Sequence, residues 1–300
     1  MPLRSPKGDW VAAALSGFGI LYNKAIAARD GLPLPVKWAD LTNPKLNDRI
    51  ELADPRHSGS AHAAYEIILQ TNGWDQGWRI LTGMAGNAHQ IVDGSTQPLQ
   101  DVSNGDAVFT PAIDFYAAAA IDRAGADKLG YIEPKGEYVL TCDPIAILQG
   151  APNPTAAREF VDMVMSPEGQ KLWYLKKGTP GGPQFHTLFR EPALPSAYQP
   201  IPANAVVTAD PYANVNNIPY DAHKGSLRRR ALDDLIGTVL VDDLSAVKAA
   251  WKAKPDLNST GFVPISEPDF MKLAKQWKDP QVVAASKAAW AGAAQKQFGG

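Results

Sequence analysis

A chain of 300 residues with 29 Lys and Arg against 31 Asp and Glu carries a formal charge of -2, which gives no electrostatic ground for binding nucleic acid or an anionic membrane. Hydrophobic residues at 45% and charged residues at 20% exclude a disordered, collagenous or coiled-coil chain, and the length suits two domains or lobes. The single cysteine, Cys142, excludes an internal disulfide and cysteine-rich zinc sites.

Residues 10–15 and 17–23 read as two short strands around a glycine turn, followed by a short helix over 24–31 that stops at Gly31. Pro33 and Pro35 mark a loop, Trp38 opens a helical turn ending before Pro44, and Ile50 to Ala53 is a short strand. A polar loop over 54–60 leads into a helix over 61–70, with Ala64, Ile67 and Ile68 at core spacing. Further helices are predicted over 75–83 and 86–94, a strand over 106–110 and an Ala-rich helix from Asp114 to Ala124. Strands over 137–141 and 144–148 precede helices over 154–165 and 167–176. The Gly- and Pro-rich stretch 178–222 reads as irregular surface chain, and 224–298 as mainly helical. Alternating short strands and helices predict an α/β fold with largely parallel sheets.

No nucleophile elbow, phosphate-binding glycine loop or His-Glu-x-x-His motif is present, and Gly17-Phe18-Gly19 lacks the third glycine of a dinucleotide site. The five histidines are dispersed, and Cys142 in an apolar strand predicts a buried, inert thiol. Ser58, Gly59 and Ser60 stand where a strand passes into a helix. The first N–H groups of a helix lack internal partners, so these residues either cap the helix or let an anion approach it. Asn87 at a second expected helix start offers the same two readings, and Asp114 and Tyr116 sit at a third strand-to-helix junction. Ligands of α/β folds bind at such strand ends.

The order of these pieces carries a resemblance. Gly19 to Asn23, Trp38 to Leu41, the Asp54-Pro55 and Ser58-Gly59-Ser60 loop, Gly86-Asn87, Asp114-Phe115-Tyr116, Gly150 to Asn153 and Ser166 to Gln170 together resemble the type II periplasmic substrate-binding proteins of ABC transporters. The nearest branch is the one binding ferric iron, thiamine, phosphonates or sugar phosphates. The resemblance implies two α/β lobes joined by hinge strands crossing near 21–23 and 139–144. Lobe one would comprise 1–23 and 141–300, with the C-terminal helices packed on it, and lobe two 24–140. It implies no enzyme activity and no cofactor or metal, a small anionic or phosphorylated solute bound through Ser58, Gly59, Ser60, Asn87, Asp114 and Tyr116, a membrane permease as partner, and a periplasmic location. Asp114 stands where iron binders of the family carry the first of two tyrosines, so an organic ligand is expected ahead of ferric iron held by Tyr116. A hydrolase or transferase using His57 or His62 with an aspartate is the reading from another class. The resemblance also implies a longer beginning for lobe one, to which the missing signal sequence belongs, and self-association through an incomplete sheet edge.

Overall fold

A computed structural model describes residues 3–214 and 218–299. Its organising element is β1 (Val11–Asn23), one strand of thirteen residues rather than two strands around a turn. Gly17 and Gly19 were read as turn residues, but both lie in extended backbone: a Cβ at Gly17 would run into the Tyr138 hydroxyl and one at Gly19 into the Ile132 carbonyl. Their role is to admit close neighbours.

The far half of β1, from Phe18 to Asn23, belongs to a five-strand sheet. After α1 (Lys24–Arg29) come β2 (Ile50–Ala53), α2 (Gly59–Asn72), α3 (Trp74–Gly86), β3 (Ala88–Val92), α4 (Gln97–Asn104), β4 (Phe109–Ile113), α5 (Asp114–Ala124) and β5 (Leu129–Ile132). The strand order is β3-β2-β4-β1-β5. β2 runs parallel to β3 and β4, while β1 is antiparallel to β4 and β5, so the sheet is mixed where a largely parallel one was expected. β3 replaces the helix expected over 86–94. Asn87 ends α3 as its C-cap, and Ile91 and Val92 then suit a strand.

The near half of β1 pairs antiparallel with β6 (Leu140–Ile145) and β7 (Glu191–Pro192), flanked by α6 (Pro154–Met165) and α7 (Pro167–Tyr174). Its apolar core is small: Ala12, Leu15, Leu140 and Ala193, with Leu3 and Cys142 against them. A buried amide compensates. Gln170 donates to the carbonyls of Ala13 (2.8 Å) and Val164 (2.9 Å) and accepts the N–H of Ala193 (2.7 Å), tying α7 to both strands. Cys142 is half-buried, and burial pushes its thiol up, as an inert thiol requires.

The chain from 178 to 221 is irregular as expected, with residues 215–217 outside the described residues. α8 (Ala222–Ile236), α9 (Leu244–Ala253), α10 (Glu267–Ala274) and α11 (Pro280–Phe298) complete the fold. Their packing corrects the expected assignment to lobe one. Leu232, Leu235, Val247, Trp251, Phe270, Trp290 and Phe298 share one core with Ile67, Ile68, Trp78 and Leu81 of α2 and α3. The C-terminal helices therefore cover the five-strand half. Among the described residues no helix is long and apolar enough to cross a membrane.

Candidate functional site

Ser58 caps α2: its Oγ accepts the N–H of Ala61 at 3.2 Å. The same oxygen lies 2.8 Å from Ser95 Oγ and 3.3 Å from Ser60 Oγ. The three hydroxyls border a cavity of about 10 Å³, room for one water. The loop before them is braced by Arg56, whose guanidinium grips Asp54 (2.7–3.0 Å) and Asp242 (2.8 Å). Ser58 thus acts as a cap here. The cap satisfies one N–H of the first turn, and Gly59 leaves the start of the helix open to the outside.

That opening faces a cleft of about 640 Å³. Gly59 and His62 of α2 and Gly225 and Arg229 of α8 form one wall, and Leu140, Thr141 and Cys142 of β6 the other, so the cleft lies between the two halves that share β1. A Cβ on Gly59 would sit 3.2 Å from Arg229 Nη2, which places the guanidinium over the N-terminus of α2. Among the described residues Arg229 makes no ion pair. A helix N-terminus and an unpaired guanidinium facing each other form an anion-binding geometry. His62, buried on the same wall, has its Nδ1 2.6 Å from Asp233 Oδ1. Burial pushes the Asp233 carboxyl up, opposed by the hydrogen bond from His62.

Asp114, the first residue of α5, is not among the residues lining that cleft. Its Oδ2 accepts the N–H of Gly17 and its Oδ1 that of Phe115, both at 2.6 Å. Burial pushes its carboxyl up to about 7 against the pull of these two N–H groups. Asp143 adds repulsion, while Glu191 of β7 is raised to about 9 by burial and then by the Asp114 charge, and its Oε2 has no partner among the described residues. Arg190 bridges this seam, paired with Asp143 and lying over the Phe115 ring at 3.5 Å from the centroid. Tyr116, 37% exposed, lines a different groove of about 630 Å³ between α4 and α5, beside Asn104 and Arg123. That lining holds one phenol and no carboxylate, which is a poor donor set for a hard trivalent cation.

Asn87 is not at a helix start. It is fully buried, its Nδ2 donates to Leu41 O (3.0 Å) and Asn43 O (2.9 Å), and its Oδ1 accepts the indole N–H of Trp251 (3.0 Å). Its amide is satisfied inside the core. Ser58, Gly59 and Ser60 thus line the cleft or the small cavity beside it, and Asn87, Asp114 and Tyr116 line neither.

The histidines are less isolated than their spacing suggested: His57, His62 and His89 each meet an aspartate, Asp93, Asp233 and Asp48. No serine, threonine or cysteine is bonded to any of these rings among the described residues. Asp54, His57 and Asp93 also bring three potential metal-ligand atoms within 4.8 Å, but the Asp54 carboxylate is already held by Arg56. Arg229 was missed because it stands in the run Arg228-Arg229-Arg230. A helix turns consecutive residues about 100° apart, so the run divides. Arg228 is buried against Glu66 (2.8 Å) and Glu267 (2.6 Å), Arg229 faces the cleft, and Arg230 borders a groove with Asp233 and Asp234.

Residues 1–204 match the family model of the bacterial extracellular solute-binding proteins. The phosphoglycerate transport regulatory protein PgtC of Salmonella typhimurium is 30% identical over 171 residues, 56% of this chain and 42% of that protein. The chain thus spans under half the length of this curated relative. Two solved structures share the fold. The periplasmic binding protein P5PA superimposes with a TM-score of 0.62 at 21% identity, over 78% of this chain and 69% of the other. The periplasmic binding protein AfuA of Actinobacillus pleuropneumoniae, with fructose-6-phosphate bound, does so with 0.58 at 21% identity, over 84% and 73%. The type II periplasmic-binding fold expected from the sequence is the fold of this chain.

Proposed function

From the premise that the chain belongs to the bacterial extracellular solute-binding protein family, we propose that it captures a small phosphorylated organic solute between its two halves. The phosphate sits at the N-terminus of α2 beneath Arg229, and the complex delivers its cargo to an ABC-type membrane permease from the periplasm. Members of the family are binding proteins, and this chain is read as one. The observation that carries the reading is the unpaired Arg229 guanidinium standing over Gly59 at the start of a fourteen-residue helix. The helix terminus contributes about 0.3–2 kcal/mol toward an anion. A charged hydrogen bond from the guanidinium adds about 1.5–3 kcal/mol. The names of the relatives point the same way: PgtC is named for phosphoglycerate transport and AfuA was solved with a sugar phosphate.

In this reading β1 and β6 are the hinge strands, Asp114 is a hinge tie, and Ser58 and Ser60 orient the first turn of α2. Titration calorimetry with fructose 6-phosphate, 3-phosphoglycerate and inorganic phosphate tests it. At least one phosphorylated probe binds, and Arg229→Ala weakens it by at least tenfold. Absence of binding by every probe, or affinity unchanged in Arg229→Ala, refutes it.

A further inference from the structure

The anion-binding wall contains a group that neither the helix terminus nor Arg229 accounts for. His62 is only 5% exposed, lines the cleft, and has Nδ1 committed to Asp233 at 2.6 Å. Among the described residues its Nε2 is bonded to no protein group. On the wall of a cleft, that nitrogen is left for water or a ligand that enters it.

Helix spacing puts the pieces together. Gly59 and His62 are three apart on α2, and Arg229 and Asp233 four apart on α8, so each pair shares a face. The two faces meet at the cleft. Asp233 fixes the ring through Nδ1 and sets its orientation, and in the doubly protonated ring Nε2 then points a second N–H into the cleft. Arg229 favours the charge on Asp233 and Asp234 opposes it. Glu66, one turn along α2, is neutralised by Arg228. Cys142 on β6 and Tyr220 before α8 both have their acidities suppressed by burial.

We propose that His62 Nε2 is a direct donor to the bound oxyanion, held by Asp233 as a positioning residue, and that it selects a tetrahedral phosphate over a planar carboxylate. This rests on the reading of the α2 terminus as the anion site. The donors come from three directions: the first N–H groups of α2, Arg229 and His62. A phosphate monoester has three terminal oxygens to meet them, whereas a carboxylate has two oxygens in one plane and leaves one donor unmet.

The test is calorimetry at one fixed pH with fructose 6-phosphate, 3-phosphoglycerate and inorganic phosphate, and with glucuronate as the carboxylate probe. His62→Phe keeps the ring volume and removes the donor. It weakens the phosphorylated probes by roughly 10–100-fold, and glucuronate by less than threefold. His62→Gln, which restores a side-chain N–H donor, recovers most of the loss. In the native protein the 15N resonance of His62 Nε2 shifts when a phosphorylated probe is added, and Asp233→Asn diminishes that shift. Arg229→Ala separates the two ideas. If it abolishes binding while His62→Phe changes nothing and the Nε2 resonance stays still, the role of His62 is overturned and the anion site stands. If no phosphorylated probe binds, both fall.

Discussion

The backbone N–H of Gly17 donates to the Asp114 carboxylate at 2.6 Å, which pins β1 to the first turn of α5 at the residue where the strand changes partners. A carboxylate is an unusual choice for such a pin because burial opposes its charge. The acid is raised to about 7 by burial and the Asp143 charge, and it in turn raises Glu191 of β7.

This pair makes stability depend on pH. An acid whose folded pKa is raised holds its proton more tightly in the folded state. Its contribution is complete below the ordinary carboxylate range and is lost as pH rises through the raised value, here about 7 for Asp114 and about 9 for Glu191. The melting temperature therefore falls between pH 5 and pH 9, and Asp114→Asn makes the fall shallower. Thermal scans at four pH values check this, and a variant with an undiminished slope would contradict it.

Glu51 gives a second, independent case. It is fully buried in β2, neither carboxylate oxygen has a partner among the described residues, and burial followed by Asp101 and Asp106 pushes it up to about 8. Its contribution is lost as pH rises from about 4.5 to about 8. Glu51→Gln keeps the shape without the ionisation. At pH 8.5 it raises the melting temperature by about 2–4 °C per kcal/mol recovered, and at pH 5 the gain vanishes. Differential scanning calorimetry at the two pH values distinguishes the outcomes.

Arg228 and Arg229 are neighbours with opposite duties. Arg228 is buried with Glu66 and also meets Glu267, which keeps Lys224, so Arg228→Ala strands the buried Glu66 and costs about 3–5 kcal/mol. Arg229→Ala touches no ion pair and changes stability by about 0.5 kcal/mol or less. Urea unfolding of the two variants measures the contrast, and similar losses in both would refute the division.

The half built on β6 exposes apolar surface. In α6 only Val164 is buried, and Phe160 is 55% exposed, with Met163 and Leu148 also uncovered. Among the described residues β6 pairs with β1 alone, which leaves its other edge open. The chain is expected to self-associate through this face. Size-exclusion chromatography with light scattering shows a species larger than the monomer, and Phe160→Asp returns it to the monomer. A monomer for the unaltered chain at high concentration would contradict the expectation.

Local signals were legible wherever capping or periodicity acted alone. Ser58 caps α2, Asn153 caps α6 with Pro154 behind it, and Ser166 caps α7, each accepting the N–H that its position requires. The order of strands and helices, and through it the fold, followed from such junctions. Glycine misled at Gly17, because a residue needed for a turn and one needed for close approach look alike along the chain. Residues 88–92 misled because five residues are too few to separate helix from strand by period. Of the candidate site, Ser58 to Ser60 was readable from its place before a helix. Arg229, Asp233 and the orientation of His62 were not, because they depend on how α8 packs against α2, a relation between residues some 170 apart in the chain.

The sharing of β1 also bears on how the molecule comes apart. Val11 to Gly17 are rungs of one ladder and Phe18 to Asn23 of another, in one unbroken strand. The smaller half has little apolar core of its own and draws its order from a strand that the larger half holds in place. Melting of the larger half therefore removes the template of the smaller one. Under heat or denaturant the smaller half does not outlast the larger one.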